Sequence, residues 1–541
     1  MRTLPGGVST PTANSQVNES MEWPVRKIVI VGGGTAGWIT AAVVAAESLG
    51  RGDQAVEVVL IESPEIPIIG VGEGTWPSMR MTLQQIGLSE DEFIRECNAS
   101  FKQGTRFCDW SGRPGATEYT HPFSLPVDYA ELNPAQFWLA HGAESAFADL
   151  VTPQARVIEL GLAPKQVSAP QYAFTVNYGY HFDAGKFAKM LHRHAVEKLR
   201  VRYISANVER IDCHPNGDIE SVALDTHERV EGDLFVDCTG QKALLIGRRL
   251  GSRLASVRDV LFNDRAIAVQ VPYADPGDPI ASVTLSTAEP HGWIWDIGLS
   301  SRRGIGYVHS SAHADEETAF STLIRYVEAT SPGVAPGSLS YRTIPFEPGY
   351  REKFWVGNCV AVGLSAGFVE PLEASALVLI EQAAKIIGEQ MPRDREIMDI
   401  VADRFNAKIG YHWERIVEFL KLHYAASVRE DSDYWKENRE QRSWPEGLRR
   451  KMKLWQQQPP WHDDAPRLDE LFPSASYQYV LYGMGFKPHY AVAQNVRFNR
   501  MRMRADEVFH GTRMKARQME GLLPTTRELV TAISHRAAAQ D

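Results

Sequence analysis

The stretch Lys27-Ile28-Val29-Ile30-Val31-Gly32-Gly33-Gly34-Thr35-Ala36-Gly37-Trp38-Ile39 decides the fold of this chain. Its first five residues have the composition of a buried parallel strand, and the residues from Trp38 onwards continue as a helix. The G-x-G-x-x-G pattern between them supplies a tight turn, a close backbone approach to a pyrophosphate and close packing of helix on strand. The helix N-terminus then faces the phosphate charge. The predicted dinucleotide contacts are Gly32, Gly34, Thr35, Ala36 and Gly37.

A second apolar run over residues 56–61 ends at Glu62, 25 residues after Gly37. An acidic side chain near this place binds the ribose hydroxyls in dinucleotide folds. The order of strand, glycine loop, helix, strand and acid predicts a nucleotide site more specifically than a glycine pattern alone. The structural alternative is a glycine-rich turn without a ligand.

The same region contains 19 consecutive uncharged residues, 28–46, which is long enough on paper to span a bilayer. Three consecutive glycines divide it into a short β-branched run and a helix of small residues. We therefore expect no membrane span and no membrane partner.

Composition excludes several other classes of protein. The 541 residues are 44% hydrophobic and 23% charged, as in ordinary globular proteins. Lys and Arg number 57 against 67 Asp and Glu, and this net charge of −10 argues against nucleic acid as a partner. The basic stretch 497–517 is predicted to form one or two surface helices. Five widely spaced cysteines without C-x-x-C predict no metal site, no disulfide framework and a reducing, cytoplasmic location.

Two later segments favour FAD over NAD. Residues 229–240 are predicted to form a short strand that ends on Thr239-Gly240, and residues 355–367 a strand that runs into a glycine turn and a long helix. Such elements resemble those of FAD-binding proteins of the glutathione-reductase and aromatic-hydroxylase type. We therefore predict an α/β fold, with a Rossmann-like FAD-binding body and a largely helical substrate module. The predicted units are a flexible tail over 1–22, a discontinuous FAD-binding body with inserted substrate-binding segments over 23–390, and a mainly helical substrate or capping module over 391–541.

Apolar residues recur at helical spacing over residues 375–391 and 397–424, which predicts two packing helices. Residues 444–466 contain several Trp and Pro breaks, and they are predicted to form loops that cap the substrate region.

Four ordered blocks carry a resemblance to a known family. They are residues 69–77 (IGVGEGTWP), 96–102 (ECNASFK), 291–297 (HGWIWDI) and 368–375 (FVEPLEAS). With these blocks the chain resembles the flavin-dependent tryptophan halogenases from about residue 27 to about residue 440. The Pro-Leu-Glu-Ala-Ser-Ala variant is similar to members that accept indole or other electron-rich arenes.

The resemblance implies an activity. In that family reduced FAD reacts with oxygen to give a flavin hydroperoxide, a halide attacks it, and hypohalous acid then travels to a separate substrate pocket. The implied reaction is electrophilic chlorination or bromination of an indole-like arene, with reduced FAD and halide as cofactors. The lysine that activates the electrophile corresponds to Lys102, and the glutamate that accepts the arene's proton to Glu373. The structural alternatives are a surface lysine and a helix-entry carboxylate.

The resemblance also assigns other contacts along the reaction path. The expected further FAD contacts are Gly74, Val208, Leu364 and Leu377. The expected halide site is formed by the backbone amides of Ser375 and Ala376, where Ala374-Ser375-Ala376 replaces the family's Ser-Thr-Gly. The expected substrate-pocket residues are His121, Phe123, Trp293 and Trp295, with Gly298 in place of the motif proline.

Only one glycine fingerprint is present, so a separate flavin reductase is expected to supply reduced FAD for a small aromatic substrate. The resemblance allows a homodimer. The enzymatic alternative is a single-component FAD aromatic hydroxylase, against which the Lys102 and Glu373 blocks argue. The non-enzymatic alternative is a flavoprotein that binds a partner without catalysis. The choice between chloride and bromide, the regiochemistry and the acceptance of free tryptophan stay open at this point.

Overall fold

The structure is a computed structural model that describes residues 25–50, 52, 55–66, 72–115, 117–143, 145–488 and 496–538. The predicted tail 1–22 and residues 69–71 of the first family block lie outside these residues. The strands, in chain order, are β1 Lys27–Val31, β2 Glu57–Glu62, β3 Gly72–Gly74, β4 Ser100–Lys102, β5 Gly104–Cys108, β6 Glu118–Pro122, β7 Gly179–Asp183, β8 Arg202–Ser205, β9 Val208–Cys213, β10 Ile219–Leu224, β11 Arg229–Glu231, β12 Leu234–Asp237, β13 Leu254–Ser256, β14 Arg265–Pro272, β15 Thr284–Glu289, β16 Gly292–Gly298, β17 Arg302–His309, β18 Tyr341–Pro345, β19 Gly349–Arg351, β20 Trp355–Val356, β21 Cys359–Ala361 and β22 Gly367–Phe368. The helices are α1 Thr35–Leu49, α2 Ser78–Gln85, α3 Glu90–Glu96, α4 Pro134–Ala140, α5 Phe147–Val151, α6 Gln154–Glu159, α7 Ala184–Glu197, α8 Glu316–Thr330, α9 Ser375–Glu389, α10 Arg395–Ala425, α11 Asp433–Arg439, α12 Glu446–Trp455, α13 Ser474–Gly483, α14 Val496–Glu520 and α15 Thr526–Ala538.

A six-stranded sheet with the order β20-β21-β12-β1-β2-β8 holds the glycine loop. The pairs β1–β2, β1–β12, β2–β8 and β12–β21 are parallel. The apolar residues of β1 are fully buried, as expected for a parallel sheet covered on both faces. Helix α1 connects β1 to β2, and it packs against α7 and α9. The predicted α/β fold with a Rossmann-like body is confirmed.

A seven-stranded sheet, β18-β14-β17-β16-β15-β5-β6, carries most of the remaining strands around the predicted substrate segments. A smaller sheet with the order β3-β7-β4 lies beside it, where β7 pairs antiparallel with both neighbours. The Ser100 hydroxyl of β4 donates to the carbonyl of Gly298 at the end of β16, and Pro122 at the end of β6 pairs with Gly104, two residues after Lys102.

Residues 229–240 differ from the prediction of one strand. β11 belongs to a separate sheet with β10 and β9, and only β12 enters the central sheet. The chain changes sheet at Gly232, where a Cβ would lie 2.7 Å from Cγ2 of Val29, and at Asp233, whose carboxylate accepts the N–H groups of Arg26 and Lys27. These contacts with the N-terminal part of β1 therefore determine where β12 begins.

Two other segments also differ from their predictions. Residues 355–367 contain a short antiparallel pair, β20 and β21, joined at Gly357 with φ of +56°, in place of one strand, whereas the predicted glycine turn and long helix are present as Gly363–Ser365 and α9. Residues 444–466, predicted as loops, contain α12, which buries Leu448 and Trp455. Pro445 directly precedes this helix, where its missing N–H breaks no intrahelical bond.

Helices α9 and α10 occupy the two segments with helical apolar spacing, and the basic stretch 497–517 lies within α14. One cluster of buried apolar side chains extends from Val25 to Ile533. Residues 28–46 are divided into β1, the glycine loop and α1, and no helix in the described ranges combines the length and apolarity needed to cross a membrane.

Candidate active site

The glycine loop between β1 and α1 has the shape that a bound dinucleotide requires. Gly32 has φ of +116°, which residues with a side chain rarely adopt, and its N–H donates to the carbonyl of Ile61 at 2.8 Å. A Cβ on Gly37 would lie 1.8 Å from the Gly32 oxygen, whereas the space beside Gly34 is open. The loop therefore packs tightly on the protein side and offers bare backbone to a ligand at the N-terminus of α1. This cradle fits the pyrophosphate of FAD.

Other predicted FAD contacts converge on this loop. Glu62 is the last residue of β2, and its side chain lies against Gly33. A Cβ on Gly33 would lie 2.2 Å from Cδ of Glu62. The Glu62 carbonyl accepts the N–H of Ala206 at 3.0 Å, which brings the start of β9 at Val208 to the same edge. Leu364 is in the turn Gly363–Ser365, and a Cβ on Gly363 would lie 2.6 Å from Cβ of Ala36. Leu377 is buried in the first turn of α9.

Lys102 is fully buried at the end of β4, so it is not a surface lysine. The strand register places Lys102, Gly179, His181 and Gly74 on one face of the β3-β7-β4 sheet. A Cβ on Gly74 would lie 3.2 Å from Nζ of Lys102, which means that this glycine leaves room for the lysine head. The aromatic ring of Phe123 has its centroid 5.6 Å from the same Nζ.

Glu373 is held on a strained turn immediately before α9. Glu373 and Ala374 have φ of +63° and +56°, and a residue with a side chain adopts this conformation at a cost of about 1 kcal/mol or more. The indole N–H of Trp76 donates to the Glu373 carbonyl at 2.7 Å. The carboxylate is buried, and such strain around a buried charged group is typical of functional sites.

Two imidazoles and a hydroxyl contact the Glu373 carboxylate. Nδ1 of His121 lies 2.7 Å and Nε2 of His423 lies 3.2 Å from Oε1, and the Thr105 hydroxyl donates to Oε2 at 3.3 Å. Burial alone would raise the pKa of Glu373, but the charge and hydrogen bonds of the two histidines hold that pKa well below its usual range. Burial lowers the pKa of Lys102 to about 8, against the opposing charge of Glu373. The pocket therefore combines an ionised carboxylate with a lysine that can release its proton near neutral pH.

The predicted substrate-pocket residues fall into two groups. His121 and Phe123 lie beside the catalytic candidates, the first bonded to Glu373 and the second next to Lys102. Trp293 is buried, and its indole N–H donates to Oε2 of Glu370 at 2.6 Å. The half-buried ring of Trp295 covers Gly306 and lines a cavity of about 560 Å³.

Ser375 and Ala376 are the first two residues of α9. The N–H groups of a first helical turn have no acceptor within the helix, and the helix dipole places partial positive charge there. Ala376 has an ordinary helical backbone, so the absence of glycine at this position creates no strain. Backbone geometry at these positions suits a small anion.

Sequence reasoning missed three contacts of Glu373. His423 lies on the buried face of α10, one turn after Phe419, where a histidine cannot be told from a core residue by periodicity. Thr105 lies in β5, three residues after Lys102. Trp76 is inside the first family block, and that match was the one available signal for it.

A family model described as tryptophan halogenase matches residues 27–497, most of the 541-residue chain. The chain belongs to the tryptophan halogenase family. The solved structure of a tryptophan halogenase from Shewanella frigidimarina is similar with a TM-score of 0.91 and 45% identity, over 95% of this chain and 98% of that one. Tryptophan 7-halogenase RebH of Lentzea aerocolonigenes is 30% identical over 94% of this chain and 99% of its own length. The structure of tryptophan 6-halogenase SttH of Streptomyces toxytricini has a TM-score of 0.85 and 32% identity, over 94% and 99% of the two chains.

This membership confirms the predicted family and identifies the chain as a flavin-dependent halogenase, an enzyme that uses FAD and a halide. The alternative of a single-component hydroxylase is not favoured by these relatives. The glycine cradle and the pocket around Lys102 and Glu373 thus belong to one halogenase.

Proposed function

We propose that this halogenase attaches halogen to an indole-like, electron-rich arene, with Lys102 and Glu373 as its catalytic residues. The observation that carries the proposal is a buried lysine with a pKa of about 8 and a buried, ionised carboxylate in one pocket lined by His121 and Phe123. Relatives named as tryptophan 6- and 7-halogenases act on an indole ring, which supports this class of substrate.

Lys102 activates the electrophile. Its ammonium donates a hydrogen bond to the oxygen of hypohalous acid, which makes the halogen more electrophilic. When the halogen bonds to an arene carbon, the halogen–oxygen bond breaks and the leaving hydroxide takes a proton from the ammonium to form water. A lysine with an unperturbed pKa of 10.5 would give up this proton less readily than one with a pKa of about 8.

Glu373 stabilises the cationic arene and accepts the proton from the substituted carbon. The proton released by the arene balances the one that forms water, so hypohalous acid and arene give haloarene and water. Its depressed pKa keeps the carboxylate ionised at neutral pH, and the absence of bulk water strengthens its field.

FAD is proposed to bind at the glycine loop, with Glu62, Val208, Leu364 and Leu377 as further contacts and Gly74 between cofactor and Lys102. Bound as reduced FAD, the cofactor would supply two of the four electrons that reduce oxygen, and the halide would supply the other two as it becomes hypohalous acid. The amides of Ser375 and Ala376 are proposed to hold chloride or bromide, and Trp293 and Trp295 to wall the substrate from the flavin. A reducing, cytoplasmic location is proposed from the odd number and wide spacing of the five cysteines in the sequence.

A coupled assay tests this proposal. The enzyme is incubated with a flavin reductase, FAD, NADH and chloride or bromide, together with indole, free tryptophan and a panel of other arenes. Mass spectrometry then detects the halogen isotope pattern in the product. We expect halogenated indole-type products, and their absence across the panel would overturn the proposed substrate class. Substrate-stimulated NADPH oxidation by the purified enzyme alone would instead support the hydroxylase.

Two variants test the catalytic roles. Lys102→Met and Glu373→Gln are each expected to reduce product formation by about 10²-fold or more while FAD binding and oxygen consumption persist. Lys421→Met is the matched control, because Lys421 is also a buried lysine with a lowered pKa, about 7, but it bonds Asn438 at 2.7 Å. Product formation by Lys102→Met at the level of the control would remove Lys102 from the mechanism.

A further inference from the structure

His423 has a protonation state that its neighbours define. The residue is completely buried on α10, and its Nδ1 lies 2.9 Å from the backbone carbonyl oxygen of Phe419. A carbonyl oxygen can only accept a hydrogen bond, so Nδ1 carries a proton. Its other nitrogen, Nε2, lies 3.2 Å from Oε1 of Glu373.

A proton must also lie between Nε2 and Oε1, because two facing lone pairs would repel each other in a buried site. With Glu373 ionised, that proton belongs to His423, which is then an imidazolium with two N–H donors. His121 differs, because its Nε2 lies 3.0 Å from the Ser476 hydroxyl, which can donate. The Ser476 hydroxyl can also accept, so the hydrogen bonds of His121 are satisfied in either protonation state, whereas those of His423 are satisfied only when both nitrogens carry a proton.

We propose that His423 is a positioning residue that, as a buried cation, keeps Glu373 ionised and ready to accept the arene's proton. This inference rests on the proposed role of Glu373 as the proton acceptor. It adds a requirement to that role, namely a fixed positive charge behind the carboxylate. A neutral hydrogen-bond donor at the same place does not meet this requirement.

Glu381 shows how a buried carboxylate behaves in this protein with neutral donors. Its oxygens accept hydrogen bonds from the hydroxyls of Ser78 at 3.1 Å and Thr82 at 2.6 Å. Burial raises its pKa to about 7 despite these two bonds. Glu373 is equally buried, so without the charge of His423 its pKa should rise in the direction of that of Glu381.

Other titratable groups also face the Glu373 carboxylate. They are His121 from β6, Lys102 from β4 and the phenol of Tyr119 from β6. Burial and the charge of Glu373 raise the pKa of Tyr119, which stays neutral. No ion pair within 4.0 Å joins Lys102 to a carboxylate in the part of the chain that the structure describes, so the lysine does not replace His423. Around His423 itself, the rings of Phe107, Trp110 and Phe419 leave Glu373 as its charged neighbour.

The kinetic test compares His423→Phe, which removes both nitrogens, with His423→Gln, whose amide can donate without a charge. His412→Phe is the control, because His412 is equally buried three turns earlier on α10, its ring nitrogens make no hydrogen bond within the described residues, and its nearest carboxylate is that of Asp469 at 3.8 Å rather than Glu373. We expect kcat/KM of both His423 variants, relative to wild type, to fall between pH 8 and pH 6 by up to about tenfold, which is the loss of ionisation of a carboxyl with the pKa of about 7 that burial gives Glu381. The control should follow the wild-type profile. A wild-type profile in His423→Gln would overturn the need for a cation.

A second readout does not depend on halogenation. Infrared difference spectra are recorded between pH 8 and pH 6 for each protein and for the same protein with the additional substitution Glu373→Gln. The difference between the two isolates the C=O band of a protonated Glu373. We expect this band at pH 6 in both His423 variants and not in wild type or His412→Phe. Its absence from the His423 variants would overturn the inference even if the enzyme halogenates. If no arene is halogenated, the proposed function fails, and the infrared titration still decides the charge of this pair.

Discussion

Lys102 is a residue whose burial opposes its own charge, and this gives a stability prediction. Its pKa is about 8 in the folded protein and 10.5 in the unfolded chain, so the unfolded chain binds more protons between these values. The free energy of unfolding should therefore rise with pH from about 8 to 10.5, by at most about 3 kcal/mol. Lys102→Met should lose this dependence and be more stable than wild type at pH 7. Urea unfolding at pH 7 and pH 10.5 measures both changes, and a Lys102→Met protein less stable than wild type at pH 7 would contradict the expected cost of burying this charge.

The same pKa predicts the pH profile of activity. If the Lys102 ammonium activates hypohalous acid, kcat/KM should fall as the pH rises through about 8, where the ammonium is lost. A lysine with its usual pKa would keep activity constant over this range. The measurement supplies reduced FAD chemically, so that the reductase does not limit the rate, and follows halogenated indole from pH 6 to pH 10. A rate that stays constant to pH 10 would show that the ammonium is not the active form.

At the scale of elements, the turn Gly363–Ser365 fits against the first turn of α1 and shapes the cofactor site. In Gly363→Ala, a new methyl would meet Cβ of Ala36 at 2.6 Å. We expect a loss of about 1–3 kcal/mol in stability and weaker FAD binding, because Ala36 and Leu364 must move apart. Gly251→Ala is the matched control, since its φ of +73° is nearly the +74° of Gly363 and nothing lies within 4 Å of the new methyl. Urea unfolding and flavin fluorescence titration measure the two effects. Equal losses in both variants would assign them to backbone strain rather than to contact with α1.

The sequence predicts an element well when neighbouring residues specify it, and poorly when contacts with distant parts of the chain do. The strand, glycine loop and α1 are confirmed because a continuous pattern of apolar and glycine residues specifies them. The boundary between β11 and β12 is not predicted, because it depends on the packing of Gly232 against Val29, which lies 203 residues earlier in the chain. Helix α12 is not predicted, because Trp and Pro residues in this segment indicate breaks, whereas Pro445 lies just before the first residue of the helix. The contact between His423 and Glu373 could not be predicted from the sequence, because it forms only when α10 packs on the turn before α9.

The C-terminal helix α15 and the residues before it contact the segments that surround the Lys102 pocket. The N–H of Ala163 donates to the carbonyl of Pro524 at 2.8 Å, and that of Thr526 to Gly161 at 3.0 Å. Helix α15 packs on α3, whose Glu90 is bonded to Lys165 at 2.6 Å. Lys165 in turn lies 5.7 Å from the ring centroid of Phe101, the residue before Lys102. From these contacts we expect the segments on either side of the predicted division near residue 390 to unfold together.

Ile533→Ala tests this unity of the molecule. Ile533 is fully buried on α15, and its truncation should cost about 2–4 kcal/mol. Because one apolar core links α15 to β1, we expect unfolding followed by far-UV circular dichroism and by the release of bound flavin to shift together to lower urea. Leu522→Ala is the control, since Leu522 is 61% exposed and should change stability little. If circular dichroism instead showed an early transition while flavin release kept its wild-type midpoint, the C-terminal helices would be a separate unit, and the pocket would not depend on them for its stability.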